Sequence, residues 1–164
     1  LNPADSIEAI MIIRGLLKKE FIITDLKATG KNDVLEELAQ AVAGNNGGLS
    51  AESVARVLLE REKLGSTGIG DGVAIPHGKL AGIEEILVGF GRSRRGVDFK
   101  ALDGRPVYLF FILIAPDGAS ADYLKCLARI SRLLKDPGIR RDLKEAPSAD
   151  DLLRIIEAMD RQMA

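Results

Sequence analysis

The sequence predicts a single α/β layered domain, a mixed β-sheet with helices on both faces. Three observations carry that prediction. Val107 to Ala115 reads VYLFFILIA, so continuously apolar that a strand there must be covered on both sides. Apolar residues at helical spacing recur before it (Asp33 to Ala43, Ser50 to Leu64) and after it (from Ser120), which supplies the covering layers. Glu85 to Phe90, EILVGF, is the preceding major strand, and no helical pattern separates it from Val107, so the sheet is mixed and not wholly parallel. A chain of 164 residues is long enough for one substantial core.

Taken in order, Gly15 to Glu20 reads as a short basic helix or turn, and Phe21-Ile22-Ile23-Thr24 as the first strand. Asp25 to Lys31 is a connection. Asp33 and Glu36 make a capping box for a helix carrying Val34, Leu35, Leu38, Ala39 and Val42, closed by Gly44 and followed by an exit loop, Asn45 to Gly48. Ser50 caps the next helix, with Val54, Val57, Leu58 and Leu64 on one face until Gly65 stops it. Val73-Ala74-Ile75 is a short β-favouring run that leads to His77 at a strand-to-loop edge. Val97-Asp98-Phe99 is a brief strand before the turn Leu102 to Pro106. Ser120 caps a long helix through Leu134, with Tyr123, Leu127, Ile130 and Leu134 on one stripe and Leu124 and Ala128 beside it. Asp136-Pro137 opens a short helix to about Glu145, and Ser148 with Asp151 opens the last, which carries Leu152, Ile155, Ile156 and Met159.

Composition removes several function classes. Lys plus Arg (23) nearly balance Asp plus Glu (24), so the basic footprint of a nucleic-acid binder is missing. Arg92-Ser93-Arg94-Arg95 is the one local excess and reads as a solvated turn. The apolar run Ile7 to Leu17 is broken by Glu8 and Arg14 and is too short for a span, so no membrane insertion is expected. Met11 opens a natural-looking beginning, which makes residues 1–10 an upstream extension. One cysteine, Cys126, excludes an internal disulfide and fits a reducing compartment, with cytoplasm as the default. No cofactor is expected. One histidine and scattered carboxylates lack any ligand pair at metal spacing.

Chemistry is concentrated in Arg61 to Lys79, REKLGSTGIGDGVAIPHGK. Its glycines let backbone N–H groups approach an anion, so Gly65, Ser66, Thr67, Gly68, Gly70 and Gly78 are candidates for a phosphate-binding loop. The spacing is not G-x-G-x-x-G, and Gly78-Lys79 is followed by Leu80, so nucleotide binding has little support. His77 is the candidate nucleophile, set against the ordinary alternative of a packed histidine. Arg61 falls two helical turns after Val54. It either snorkels to solvent or aims its planar fork at phosphate oxygens by the glycine loop.

Arg61-Glu62-Lys63-Leu64-Gly65-Ser66-Thr67-Gly68-Ile69-Gly70, followed by Val73-Ala74-Ile75-Pro76-His77-Gly78-Lys79, resembles the signature of type-2 enzyme IIA domains of the bacterial phosphoenolpyruvate-dependent phosphotransferase system. The similarity runs from about Phe21 to Met159, which divides the chain into an N-terminal extension, 1–20, and a IIA domain, 21–164. The resemblance implies a mixed sheet flanked by helices and a phosphoryl group accepted on His77 from phospho-HPr or its nitrogen-branch paralogue. It also implies a supporting role for Arg61. Many family members carry a second active-site histidine where this sequence has Tyr123, ahead of Leu124. Tyr123 is thus either a partner of His77 or part of the helix stripe. The form GSTGIGDGVAIPHGK, with no IIB or IIC segment attached, resembles the stand-alone nitrogen-regulatory subgroup.

Two function classes stay open: a carrier that hands the phosphoryl group to a IIB domain, including in fructose- or mannitol-type uptake, and a regulatory module whose phosphorylation governs binding to other proteins. A nucleotide-using enzyme would need magnesium ligands the sequence does not cluster.

Overall fold

The computed structural model describes residue 13, residues 15–44 and residues 48–163. Six strands, β1 (Leu17–Ile23), β2 (Gly68–Gly70), β3 (Val73–Ala74), β4 (His77–Lys79), β5 (Leu87–Val97) and β6 (Val107–Ala115), form one sheet. Five helices accompany them among the described residues: α1 (Lys31–Gly44), α2 (Ala51–Lys63), α3 (Ser120–Leu133), α4 (Pro137–Glu145) and α5 (Ala149–Gln162). The strand order is β1-β5-β6-β3-β2, with β4 also on β6. β1 is parallel to β5, β5 antiparallel to β6, and β3 and β4 parallel to β6, so the sheet is mixed as expected.

β6 spans Val107–Ala115, and all of it except Tyr108 is buried. Its odd-numbered Leu109, Phe111 and Leu113 pack with Cys126, Ile130, Leu143, Leu152 and Ile156 from α3, α4 and α5. Phe110, Ile112 and Ile114 point the other way, onto Leu35, Leu38, Val54 and Leu58 of α1 and α2. That alternation is the pleat of a strand burying both faces. Close approach of α1 is permitted by Gly89, where a Cβ would meet Ile112 Cγ2 at 2.6 Å and Val42 Cγ2 at 3.0 Å.

Several local expectations are corrected. Gly15 and Leu16 form a turn, but residues 17–20 belong to β1, since edge-strand pairing with β5 tolerates the exposed Lys18, Lys19 and Glu20. Helix α1 begins at Lys31, with Val34 N–H bonded to the Gly30 carbonyl, so Asp33 is inside the first turn and not its cap. Ser120 is the first residue of α3, not its cap; Ala119 precedes it without a side-chain cap, and the Ser120 hydroxyl accepts from Lys79 instead. Leu64 (84% exposed) and Leu124 (63%) leave their expected apolar faces, which run through Val54, Leu58 and Glu62 in α2 and through Cys126, Ile130 and Leu133 in α3. The caps at Ser50, Asp136 and Ser148 hold as read. The exit loop after α1 and the reading of residues 1–10 fall largely outside the described residues.

The expected solvated turn Arg92 to Arg95 is strand. β5 continues through it to Val97, absorbing Val97 of the expected brief strand, and register slips against β6 only between Arg92 and Val97. Arg92 is 1% exposed. Its Nε donates to the Thr24 carbonyl at 2.9 Å and one terminal nitrogen donates to the Leu143 and Ala146 carbonyls at 2.9 and 2.5 Å. A cation at the carbonyl end of α4 satisfies acceptors the helix itself cannot, and it meets the negative end of the helix dipole. Among the described residues no helix is long and apolar enough to cross a membrane.

Candidate functional site

β3 and β4 keep one register along β6: Val73 and Ala74 face Leu109 and Phe110, and His77, Gly78 and Lys79 face Leu113, Ile114 and Ala115. The two are one strand interrupted at Ile75-Pro76, where Pro76 has no N–H to offer a ladder. Its carbonyl still accepts from Leu113 N–H at 3.0 Å, so the strand resumes at once. His77 therefore stands inside a ladder at the carboxyl end of the central strand, on a backbone held from one side, and not at a loose strand-to-loop edge.

The imidazole is half-buried. Its Nδ1 lies 2.6 Å from the Ile75 carbonyl oxygen. A carbonyl can only accept, so Nδ1 carries the proton and Nε2 keeps its lone pair. Burial lowers the His77 pKa from its ordinary 6.5; the bond to Ile75 opposes this, Arg61 adds to it, and Glu62 opposes it. At neutral pH the ring is thus uncharged, with a defined tautomer and the Nε2 lone pair available.

Helix α2 delivers Arg61. It lies close over β4 because residue 78 is glycine: a Cβ there would stand 2.3 Å from Val57 Cγ1. Arg61 sits in the last turn, and one guanidinium nitrogen donates to the Gly65 carbonyl at 2.9 Å. That bond orients the fork and leaves its other donors without a partner among the described residues. The charge of Arg61 acts on both His77 and Tyr123. Helix α3 delivers Tyr123, whose ring centroid lies 5.8 Å from that of His77 with the planes tilted by 55°. Burial raises the Tyr123 pKa, so its hydroxyl remains a neutral donor.

Two neighbours were not singled out by the sequence. Lys79, two residues beyond His77 and so on the same side of β4, donates to Ser120 Oγ at 2.6 Å and lies 5.7 Å over the Tyr123 ring. Glu62 is 7% exposed and accepts from Lys31, Thr67 N–H and Thr67 Oγ1. Helical spacing held the signal: Glu62 follows Val54 and Leu58 at successive intervals of four.

Three N–H groups of the candidate glycine loop already have acceptors. Gly65 N–H donates to the Glu62 carbonyl, Thr67 N–H to the Glu62 carboxylate and Gly68 N–H to Ser66 Oγ. A backbone carbonyl, a carboxylate and a hydroxyl of the protein itself thus accept from these three N–H groups. Gly70 lies in β2 and Gly78 in β4, both away from that turn. Among the described residues no cluster of three or more His, Cys, Asp or Glu could hold a metal.

Comparison with known proteins follows the same residues. The family model described as phosphoenolpyruvate-dependent sugar phosphotransferase system, EIIA 2, matches residues 15–159. A nitrogen regulatory protein of Bradyrhizobium diazoefficiens is 47% identical over 146 residues, covering 89% of this chain and 95% of that protein. The fructose-specific EIIABC component of Bacillus subtilis is 39% identical over 152 residues, covering 92% of this chain and 24% of that longer protein. Among solved structures, the nitrogen regulatory protein IIA-Ntr from Neisseria meningitidis superimposes with a TM-score of 0.83 at 36% identity, over 88% of this chain and 99% of that one.

Proposed function

Since the chain belongs to the EIIA 2 family of the phosphoenolpyruvate-dependent sugar phosphotransferase system, we propose that it carries a phosphoryl group on Nε2 of His77, received from phospho-HPr or its nitrogen-branch paralogue. The observation that supports the atom assignment is the 2.6 Å contact of Nδ1 with the Ile75 carbonyl. Nε2 gives its lone pair to phosphorus as the bond from phosphorus to the donor's imidazole nitrogen breaks. Positive charge then develops on the His77 ring, and the Nδ1 hydrogen bond to a carbonyl stabilises it. Little covalent work falls to the protein in such a transfer; positioning and charge stabilisation of the equatorial oxygens dominate. We assign that stabilisation to the fork of Arg61 and the hydroxyl of Tyr123. The glycine turn serves as a scaffold for Arg61.

The donor and acceptor in this reading are proteins. Leu64, at the C-cap of α2, and Leu124, next to Tyr123 in α3, are exposed apolar side chains suited to protein contact. The names of the relatives favour the regulatory branch, in which the phosphorylation state of His77 governs downstream partners; delivery to a IIB domain is the second reading, favoured by the fructose-specific relative. Incubation with phosphoenolpyruvate, enzyme I and HPr or the paralogue should add one acid-labile phosphoryl group. Its persistence in His77→Ala, or an acid-stable bond, would contradict the assignment.

A further inference from the structure

A chain of hydrogen bonds runs from the surface of α1 to the ring of His77. Lys31 Nζ donates to Glu62 Oε1 at 2.7 Å. Both Glu62 oxygens accept from Thr67 N–H at 3.1 Å, and Oε2 also accepts from Thr67 Oγ1. The Thr67 carbonyl accepts from Ile75 N–H at 3.0 Å, and the Ile75 carbonyl faces His77 Nδ1. Every member past Lys31 except His77 is buried. Lys31 itself is held at the other end by the face of Phe99, 4.8 Å from its ammonium.

We infer that Glu62 is the positioning residue of the phosphoryl acceptor: its carboxylate, neutralised by Lys31, clamps Thr67, and the clamp passes through Ile75 to the Nδ1 side of His77. The inference rests on the reading of His77 as the acceptor. A buried carboxylate is costly unless it is paired and fully hydrogen-bonded, and here an ammonium and a threonine meet both needs. The carboxylate follows Arg61 directly in sequence, so the two residues grip neighbouring parts of one turn, Gly65 and Thr67. Moving Thr67 would move Ile75, and with it the acceptor that fixes which ring nitrogen is free. The groups that face the imidazole are Arg61 and Glu62 from α2 and Tyr123 from α3, with Lys79, on His77's own strand β4, over the Tyr123 ring. Among these, Glu62 is the one counter-charge to Arg61.

The test uses ¹⁵N NMR titration of His77, the chain's one histidine, in the intact protein, together with single-turnover transfer from the phosphorylated donor. Glu62→Gln keeps the shape and removes the charge. It should lower the midpoint of the His77 titration below wild type, reduce the dominance of the Nδ1–H tautomer and slow transfer about tenfold or more. Lys31→Met leaves the carboxylate unneutralised and should move the midpoint upward. Opposite displacements are a signature that general loosening would not give, because loosening carries a depressed histidine upward in both. Unchanged midpoint and tautomer in Glu62→Gln with wild-type transfer would overturn the inference, as would an upward shift in both variants. Should Glu62→Gln not fold, Thr67→Val removes the hydroxyl and keeps the N–H; His77 ring shifts identical to wild type in that variant would equally overturn it. The ring signals need no phosphoryl donor, so failure of His77 to be phosphorylated would strike the acceptor reading alone.

Discussion

One guanidinium nitrogen of Arg61 is spent on the Gly65 carbonyl, and that single bond decides what its replacement does. Arg61→Ala should slow single-turnover phosphoryl transfer by about a hundredfold, while unfolding stability changes by no more than about 1 kcal/mol, the range of a part-exposed hydrogen bond. Arg61→Lys should recover only part of the rate, since a point charge cannot hold Gly65 and two phosphoryl oxygens at once. Unchanged transfer in Arg61→Ala would return the residue to snorkelling. Tyr123 separates differently, because its ring packs against the core as well as against His77. Tyr123→Phe should transfer more slowly at unchanged thermal stability, and Tyr123→Ala should lose both; wild-type kinetics in the Phe variant would leave the ring with packing alone. Arg61 and His77 were legible because the Arg61 to Lys79 block is a motif, and Tyr123 because its place ahead of Leu124 matches the second histidine of the resembled family. Glu62 was hidden inside that same motif. A glutamate in a helix reads as surface until the loop that buries it, and the lysine that neutralises it, are brought there by the fold.

At the scale of elements, α2 reaches the site through the absence of one side chain. Gly78→Ala would force a Cβ to 2.3 Å from Val57 Cγ1, and overpacking of that kind costs roughly 1–3 kcal/mol. Helix α2 should be pushed off β4 and Arg61 carried with it, so denaturant unfolding and transfer rate should both fall. Val57→Ala in the same chain should restore much of each; additive losses in the double variant would mean that the two sites do not touch. The central strand and the capped helix starts at Ser50, Asp136 and Ser148 were legible, since continuous burial and cap chemistry are local signals. The length of β5 was not. Arg92-Ser93-Arg94-Arg95 carries no apolar periodicity, yet ladder bonds need only backbone, and Arg92 is buried by carbonyl groups of α4 that lie about fifty residues further along the chain. The capping box at Asp33 failed for a related reason: Gly30 pairs with Asp98 in an isolated bridge, and the helix starts from there.

For the molecule as a whole, one histidine couples the chemistry to folding. Burial holds the His77 pKa below its ordinary 6.5, so on acidification the unfolded chain takes up this proton first. The neutral ring's contribution to stability is complete above 6.5 and is lost as pH falls from there toward the lowered native value. Wild type should therefore lose stability as pH falls through 6.5 toward the lowered native value, and His77→Gln should be flatter over the same range; equal slopes would mean an unperturbed ring. Two layers of helices on one mixed sheet hold that ring at the end of the central strand, with a carbonyl on Nδ1 and the charge of Arg61 acting on the ring. The central claim is that this geometry selects the atom that is phosphorylated. The most direct measurement is ¹⁵N and ³¹P NMR of the protein after phosphorylation by phosphoenolpyruvate, enzyme I and the phosphocarrier. The account predicts a single phosphohistidine at residue 77 with phosphorus on Nε2 and the proton on Nδ1; phosphorus on Nδ1, or on any residue other than His77, would contradict it.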